Sequence, residues 1–222
     1  MPKIIISASL LSADFTNLNN EISKVINGGV DRIHIDIMDG HFVDNLAIGI
    51  PEIICIRKKY PNLYLDCHLM VTDPKKWIDK LINIGVNSIT YHIETIINKE
   101  DHLNIINKIK NENISVGIAI KPETNISLNH ILLDLIRELN LVLIMTVNPG
   151  FGGQKFMIET LSKVELIREK YKDIDIQVDG GLNNYTSKLA IKAGANNIVS
   201  GSFIFSSDNI GKSIKTLKCN KN

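Results

Sequence analysis

Short apolar runs alternate with longer amphipathic segments along the whole chain, which is the pattern of βα units around a parallel sheet. Eight such runs begin near Ile4, Asp31, Leu63, Val86, Ile114, Leu141, Ile174 and Asn196. Helices are expected between them over residues 16–27, 51–59, 74–84, 126–139, 158–171 and 185–193, and the Asn-Lys-rich stretch 98–113 reads as a solvated helix face. No linker or shift of composition interrupts the rhythm, so residues 1–222 read as one domain. Eight units in this length point to closure into a (β/α)8 TIM barrel. An open doubly wound sheet has fewer strands and a glycine-rich turn after the first of them. Here Ser7-Ala8-Ser9-Leu10-Leu11 takes that place, and the glycine clusters come late in the chain.

Alternation along the strands separates two kinds of face. The second strand puts His34, Asp36 and Met38 on one side and Ile33, Ile35 and Ile37 on the other. The third does the same with Tyr64, Asp66, His68 and Met70 against Leu63, Leu65, Cys67 and Leu69, and the seventh with Asp175, Gln177 and Asp179 against Ile174, Ile176 and Val178. Apolar faces suit packing under helices, so the polar faces point into the barrel. Inward charges are costly there unless they are paired, hydrogen-bonded or metal-bound. A lone inward histidine is ordinarily a hydrogen-bonded core residue. His34, Asp36, His68 and Asp179 are four such groups at matching heights on three strands, near the C-terminal strand ends where barrels of this type do their chemistry. Two imidazoles and two carboxylates suit one divalent ion, with zinc, iron, manganese and cobalt all acceptable to mixed nitrogen and oxygen ligands. His92 and Asp66 are expected to be satisfied interior polar groups.

A second constellation follows the sixth strand as Asn148-Pro149-Gly150-Phe151-Gly152-Gly153-Gln154. Glycines let the backbone present N–H groups to an anion, and a helix N-terminus adds favourable partial charge. Asp179-Gly180-Gly181 and Ser200-Gly201-Ser202 repeat the feature after strands seven and eight, where such barrels hold phosphate. Lys155 reads as a solvated surface lysine.

Composition narrows the ligand. The formal charge of +1 gives no global field for nucleic acid or an anionic membrane, so an anionic ligand must be gripped locally. Hydrophobic residues at 44% and charged residues at 22% are ordinary for a globular chain. Three unevenly spaced cysteines, Cys55, Cys67 and Cys219, argue against a disulfide framework and for a reducing compartment. The start of the chain lacks the length and flanks of a signal peptide or membrane span, so the cytoplasm is the expected location. Apolar helix surfaces make a homo-oligomer the expected assembly.

Six segments together resemble the ribulose-phosphate 3-epimerase family: Ser9-Leu10-Leu11-Ser12-Ala13-Asp14-Phe15, His34 through Val43, His68-Leu69-Met70-Val71, Met145 through Gln154, Val178-Asp179-Gly180-Gly181 and Gly201-Ser202. They span nearly the whole chain in order, and the strand-two and strand-six stretches are the most specific. The resemblance implies metal ligation by His34, Asp36, His68 and Asp179, with Asp36 and Asp179 doubling as the catalytic proton-transfer groups. It implies that Ser9 and His68 meet the sugar. Gly150, Phe151, Gly152, Gly153, Gly180, Gly181, Gly201 and Ser202 would line the phosphate and substrate site, and Met38, Met70 and Met145 would wall the cavity. The implied reaction is reversible C3 epimerisation of D-ribulose 5-phosphate to D-xylulose 5-phosphate, a step of the pentose phosphate pathway, through a metal-stabilised enediolate. Ser7-Ala8 and Asp44 depart from the family pattern, in which proline is common before the serine and after Phe-Val; neither is an expected ligand.

Three other readings compete. An epimerase for another ketose phosphate, such as allulose 6-phosphate, would use the same machinery. A barrel decarboxylase would carry Asp-x-Lys-x-x-Asp on strand three, but Asp66-Cys67-His68-Leu69-Met70-Val71 lacks both the lysine and the second aspartate. A non-catalytic phosphate-ligand sensor would need neither the metal nor the carboxylate pair.

Overall fold

Isoleucine, valine and leucine recur along the strand segments, where branched side chains suit a pleated surface. The computed structural model describes residues 2–218, so Cys219 lies outside the described residues. Its strands are β1 (Ile5–Ser9), β2 (Arg32–Asp39), β3 (Leu65–Met70), β4 (Ser88–His92), β5 (Ser115–Ile120), β6 (Leu141–Met145), β7 (Asp175–Asp179) and β8 (Asn197–Ser200). Each pairs in parallel with its neighbours in chain order, and β1 pairs with both β2 and β8, which closes the barrel. Strand starts fall within two residues of those expected from the pattern. A two-residue addition, Leu46–Ala47, folds back antiparallel on the end of β2.

Helices α1 (Leu18–Asn27), α2 (Ile50–Lys59), α3 (Lys75–Ile84), α4 (Lys99–Asn111), α5 (His130–Leu135), α6 (Leu161–Lys170) and α7 (Thr186–Ala193) follow the first seven strands in turn. After β8 come a short α8 (Ser202–Phe205) and then α9 (Ile210–Leu217). The outward residues Ile33, Ile35, Ile37, Leu65, Cys67, Leu69, Ile176 and Val178 join the helices' apolar stripes in one core between sheet and helices. Helix α4, for example, buries His102, Ile105, Ile106 and Ile109 and is capped by the Asn98 side chain, which accepts from the Asp101 N–H.

The helix expected over 126–139 is broken. Residues Ile126–Leu128 and Ile136–Glu138 are 3₁₀ turns on either side of α5. Apolar positions continue through the segment, which is why it reads as one helix. Asn125 and Asn129 interrupt it by accepting the N–H groups of Ser127 and Leu132, both at 2.9 Å, in place of carbonyls of the preceding turn. The expected start at Thr16 is displaced in the same way, because Asp14 Oδ1 accepts the Thr16 N–H and α1 begins at Leu18.

One device repeats around the end of the barrel where strands begin. Asp31, Asn87, Asn140 and Asn196 immediately precede or closely abut β2, β4, β6 and β8. Their side chains accept the N–H groups of Ile6, Leu65, Val116 and Ile176, in β1, β3, β5 and β7, at 2.8–3.0 Å. Each clamp locks one strand to the next. The seam between β1 and β8 joins residues far apart in sequence, and there Ser7 Oγ donates to Asn197 Oδ1 at 3.0 Å.

Candidate active site

Strand register brings the inward polar residues together. Asp36 stands opposite His68 and Met38 opposite Met70 across β2 and β3, while Met145 stands opposite Asp179 across β6 and β7. One donor atom from each of His34, Asp36, His68 and Asp179 lies within 4.8 Å of the others. His34 Nε2 is 3.4 Å from Asp36 Oδ1 and 3.7 Å from Asp179 Oδ2; His68 Nδ1 is 3.3 Å and 3.9 Å from the same two oxygens. Donors that share an ion at about 2.1 Å in tetrahedral array are about 3.4 Å apart, so this spacing fits a small divalent ion. His34 Nε2 is buried with no hydrogen-bond partner among the described residues, as a lone pair kept for a metal would be. The donor set therefore fits the ion that its chemistry suggested.

Each ligand candidate is held from behind. Ser9 Oγ donates to Asp36 Oδ2 at 2.7 Å, leaving Oδ1 toward the imidazoles. His34 Nδ1 lies 2.9 Å from Asp66 Oδ2, which also accepts from Gln177 Nε2 at 2.7 Å. Thr146 fixes the end of β7 by donating its N–H and hydroxyl to the Asp179 carbonyl and its hydroxyl to that of Gly180. His92 and, through Oδ2, Asp66 are hydrogen-bonded interior groups that touch the histidines of the cluster, while Asp66 Oδ1 is buried with no hydrogen-bond partner among the described residues.

Electrostatics divides the two carboxylates. Burial disfavours the Asp36 anion, but His34 and His68 outweigh it and hold Asp36 well below the ordinary carboxylate range. Burial and then repulsion from Asp36 lift Asp179 to about 7. Burial opposes charge on His34, yet Asp36 and Asp66 raise it well above the usual imidazole value. Beyond the cluster, burial pushes His92 down to about 4; Glu94 is held at about 2, burial being overcome by His92, Thr124 and the Lys121 N–H.

A cleft opens above the carboxylates. Ser9, Asp36, Met38, Met70, Met145, Asp179, Gly150, Phe151, Gly152, Gly153, Gly180, Gly181, Gly201 and Ser202 all line it, so those expected site residues meet around one space. His34 and His68 have no exposed surface and approach from beneath, behind the carboxylates. Lys155 is exposed and does not line the cleft. Gly153 has φ +74, a conformation that favours glycine, with open space where a side chain would go. Gln154 Nε2 ties the glycine loop together by donating to the carbonyls of Asn148 and Phe151, and Asn45 Nδ2 donates to that of Gly150. Ser12 was not singled out from sequence, yet it lines the cleft, and its hydroxyl would meet a side chain placed on either Gly152 or Gly201. The only sequence signal for it was its place in the Ser9–Phe15 segment.

The sequence model of the ribulose-phosphate 3 epimerase family matches residues 5–205. The chain belongs to this family. Ribulose-phosphate 3-epimerase, cytoplasmic isoform, of Oryza sativa subsp. japonica is 44% identical over 96% of this chain and 92% of its own length. The ribulose-phosphate 3-epimerase of Bacillus subtilis (strain 168) is 40% identical over 98% of this chain and 100% of its own. Among solved structures, 3-hexulose-6-phosphate synthase from Salmonella typhimurium superposes with TM-score 0.74 at 16% identity over 97% of each chain. KGPDC from Streptococcus mutans gives 0.72 at 15% identity, over 98% of this chain and 97% of its own. At such identities these two share the barrel alone. Within the epimerase family, the chain is a carbohydrate epimerase with a His/Asp cluster able to hold a metal.

Proposed function

We propose that this chain interconverts D-ribulose 5-phosphate and D-xylulose 5-phosphate, with Asp36 and Asp179 as the two proton-transfer groups. The observation that supports this best is the convergence of these carboxylates, from the well-separated strands β2 and β7, on one cluster at the floor of a glycine-walled cleft. Inversion at C3 of a 2-ketose requires removal of a proton alpha to the carbonyl and delivery of one to the opposite face. Two carboxyl groups meeting the carbon from opposite sides do this directly, one as base and the other as acid. In the metal-free cluster His34 and His68 favour the Asp36 anion, whereas burial and the charge of Asp36 disfavour that of Asp179.

His34, Asp36, His68 and Asp179 would hold one divalent ion, of zinc, iron, manganese or cobalt. When bound, the ion supplies Lewis acidity, which favours the negative charge that develops on the substrate oxygens. Backbone N–H groups of the loops after β6, β7 and β8, with Ser202 at the start of α8, would take the phosphate. Met38, Met70 and Met145 would exclude water from the reacting carbon without offering acidic protons.

The test is solvent-deuterium incorporation, followed by NMR from both epimers, with metal content measured on the same preparations. Asp36→Asn and Asp179→Asn should each nearly abolish inversion, because a carboxamide neither takes nor delivers the proton. Each should retain exchange at C3 from a different epimer. Metal-loaded variants that both still invert C3 at wild-type rates would overturn the assignment. Running the coupled assay with allulose 6-phosphate beside ribulose 5-phosphate tests the choice of substrate. A cytoplasmic location and self-association belong to the same proposal. They rest on the rice relative's name and on apolar side chains such as Ile26 and Leu166 left at the surface. No described helix is long and apolar enough to cross a membrane. Cell fractionation and sedimentation test them.

A further inference from the structure

The two histidines of the cluster face it with opposite ring atoms. His34 offers Nε2 and turns Nδ1 to Asp66, whereas His68 offers Nδ1 and turns Nε2 away toward β4. Behind His68 stands His92, fully buried, its ring stacked on His68 with centroids 5.0 Å apart and covered by Phe42 at 4.7 Å. The Nε2 atoms of His68 and His92 are 2.9 Å apart, so one proton lies between them. His92 Nδ1 lies 3.1 Å from Glu94 Oε2. Glu94 Oε1 in turn accepts the Lys121 N–H at 2.9 Å and the Thr124 hydroxyl. Lys163 Nζ pins that loop by donating to the carbonyls of Lys121, Pro122 and Thr124.

Only one arrangement of protons satisfies this row with His68 and His92 both neutral, as a metal-ligating His68 requires. A carboxylate accepts and cannot donate, so His92 must donate Nδ1–H to Glu94. Its Nε2 is then a lone pair, which accepts Nε2–H from His68. That leaves His68 Nδ1 bare, facing Asp36 and Asp179. We propose that Glu94 and His92 are positioning residues that set the proton order of His68 and so reserve its Nδ1 for the ion. The inference rests on reading the four-residue cluster as a metal site. Asp66 serves His34 in the same way in a single step, which leaves Nε2 open on that ring.

Glu94→Gln separates this role from simple packing. The carboxamide is nearly isosteric, but the Lys121 N–H and the Thr124 hydroxyl claim its oxygen, so its NH2 faces His92 Nδ1, where a donor meets a donor. Zinc binding to metal-free protein, measured by competition with a chromogenic chelator, should weaken by about 10- to 100-fold in Glu94→Gln. It should weaken at least as much as in Glu94→Ala. A purely structural role predicts the reverse order, since glutamine preserves shape and alanine does not. In zinc-loaded wild type, ¹⁵N–¹H correlation NMR should find His92 protonated at Nδ1 and bare at Nε2; this measurement stands even if neither variant folds. A His92 Nε2–H signal, or a Glu94→Gln protein that binds zinc as tightly as wild type, overturns the inference while leaving the metal site in place. Wild type that takes up no zinc overturns both.

Discussion

Ser9 uses one oxygen twice. It donates to Asp36 Oδ2 at 2.7 Å and accepts the Leu11 N–H at 3.3 Å, so the same hydroxyl aims a carboxylate and starts the turn that carries Ser12 into the cleft. A hydrogen bond to a charged group is worth about 1.5–3 kcal/mol. Ser9→Ala should therefore lower kcat/KM by about 10-fold or more with the chain still folded, as steady-state kinetics and circular dichroism would show. Gly201 has a different constraint. A Cβ there would stand 2.5 Å from Ser12 Oγ and 3.0 Å from Ser12 Cβ, so Gly201→Val should raise KM for the sugar phosphate far more than it lowers kcat. Unchanged KM in the folded variant would remove this loop from the phosphate site. At this scale the sequence was legible wherever alternation applied: His34, Asp36, His68 and Asp179 sit on inward strand positions and could be picked out by period together with their height near the C-terminal strand ends. Ser12 and Glu94 could not. Both lie just past strand ends; closure of the ring brings Ser12 to Gly201, and the pairing of β4 with β5 brings Glu94 to Lys121.

Among the elements, the start of the segment after β2 is gathered by the Asp39 side chain. Asp39 Oδ1 accepts the N–H groups of His41 and Phe42, both at 2.9 Å, and Oδ2 accepts that of Thr72 at 2.8 Å, which joins the loops after β2 and β3. Burial opposes its ionisation, but these donors prevail and hold Asp39 at about 2. A carboxyl whose folded value lies below its unfolded one adds stability that is complete above the unfolded value. That stability is lost as pH falls through the folded one. Wild type should thus outlast Asp39→Asn in thermal unfolding by a constant margin above about pH 4, and the margin should shrink between about pH 4 and pH 2. A margin that does not change with acid would show that these donors do not select the anion. Phe42, carried by this segment, lies over His92, so Asp39 also bears on the row of groups behind the metal cluster. The strands were readable because their inward and outward residues differ in kind. The loop was not, since Asp39 reads as the next inward-outward step of β2. The break around α5 was hidden for a related reason: its apolar spacing is helical, and only the competing amide side chains of Asn125 and Asn129 stop it.

For the whole molecule, architecture was legible because eight repeats of one pattern leave few ways to bury their apolar faces. The clamps of Asp31, Asn87, Asn140 and Asn196 were not, because a single asparagine before a strand looks like any turn residue. They divide the barrel into four pairs of neighbouring strands, each locked across 20–25 residues of sequence. Such pairs need little loop closure to form, whereas the seam between β1 and β8 must join the two ends of the chain. The ring should therefore assemble as quarters and shut last at that seam, which also makes it the first place to open. Amide hydrogen exchange should find the Ile5 and Ile198 N–H groups less protected than those of Val142 and Ile118 in the middle of the chain. The cleft spans the same seam, with Ser9 and Ser12 on one side and Gly201 and Ser202 on the other. A bound sugar phosphate would then act as a buckle, and saturating substrate should slow exchange at β1 and β8 more than at β5 and β6. Equal protection of all four strands by substrate would mean that the ring has no preferred point of opening.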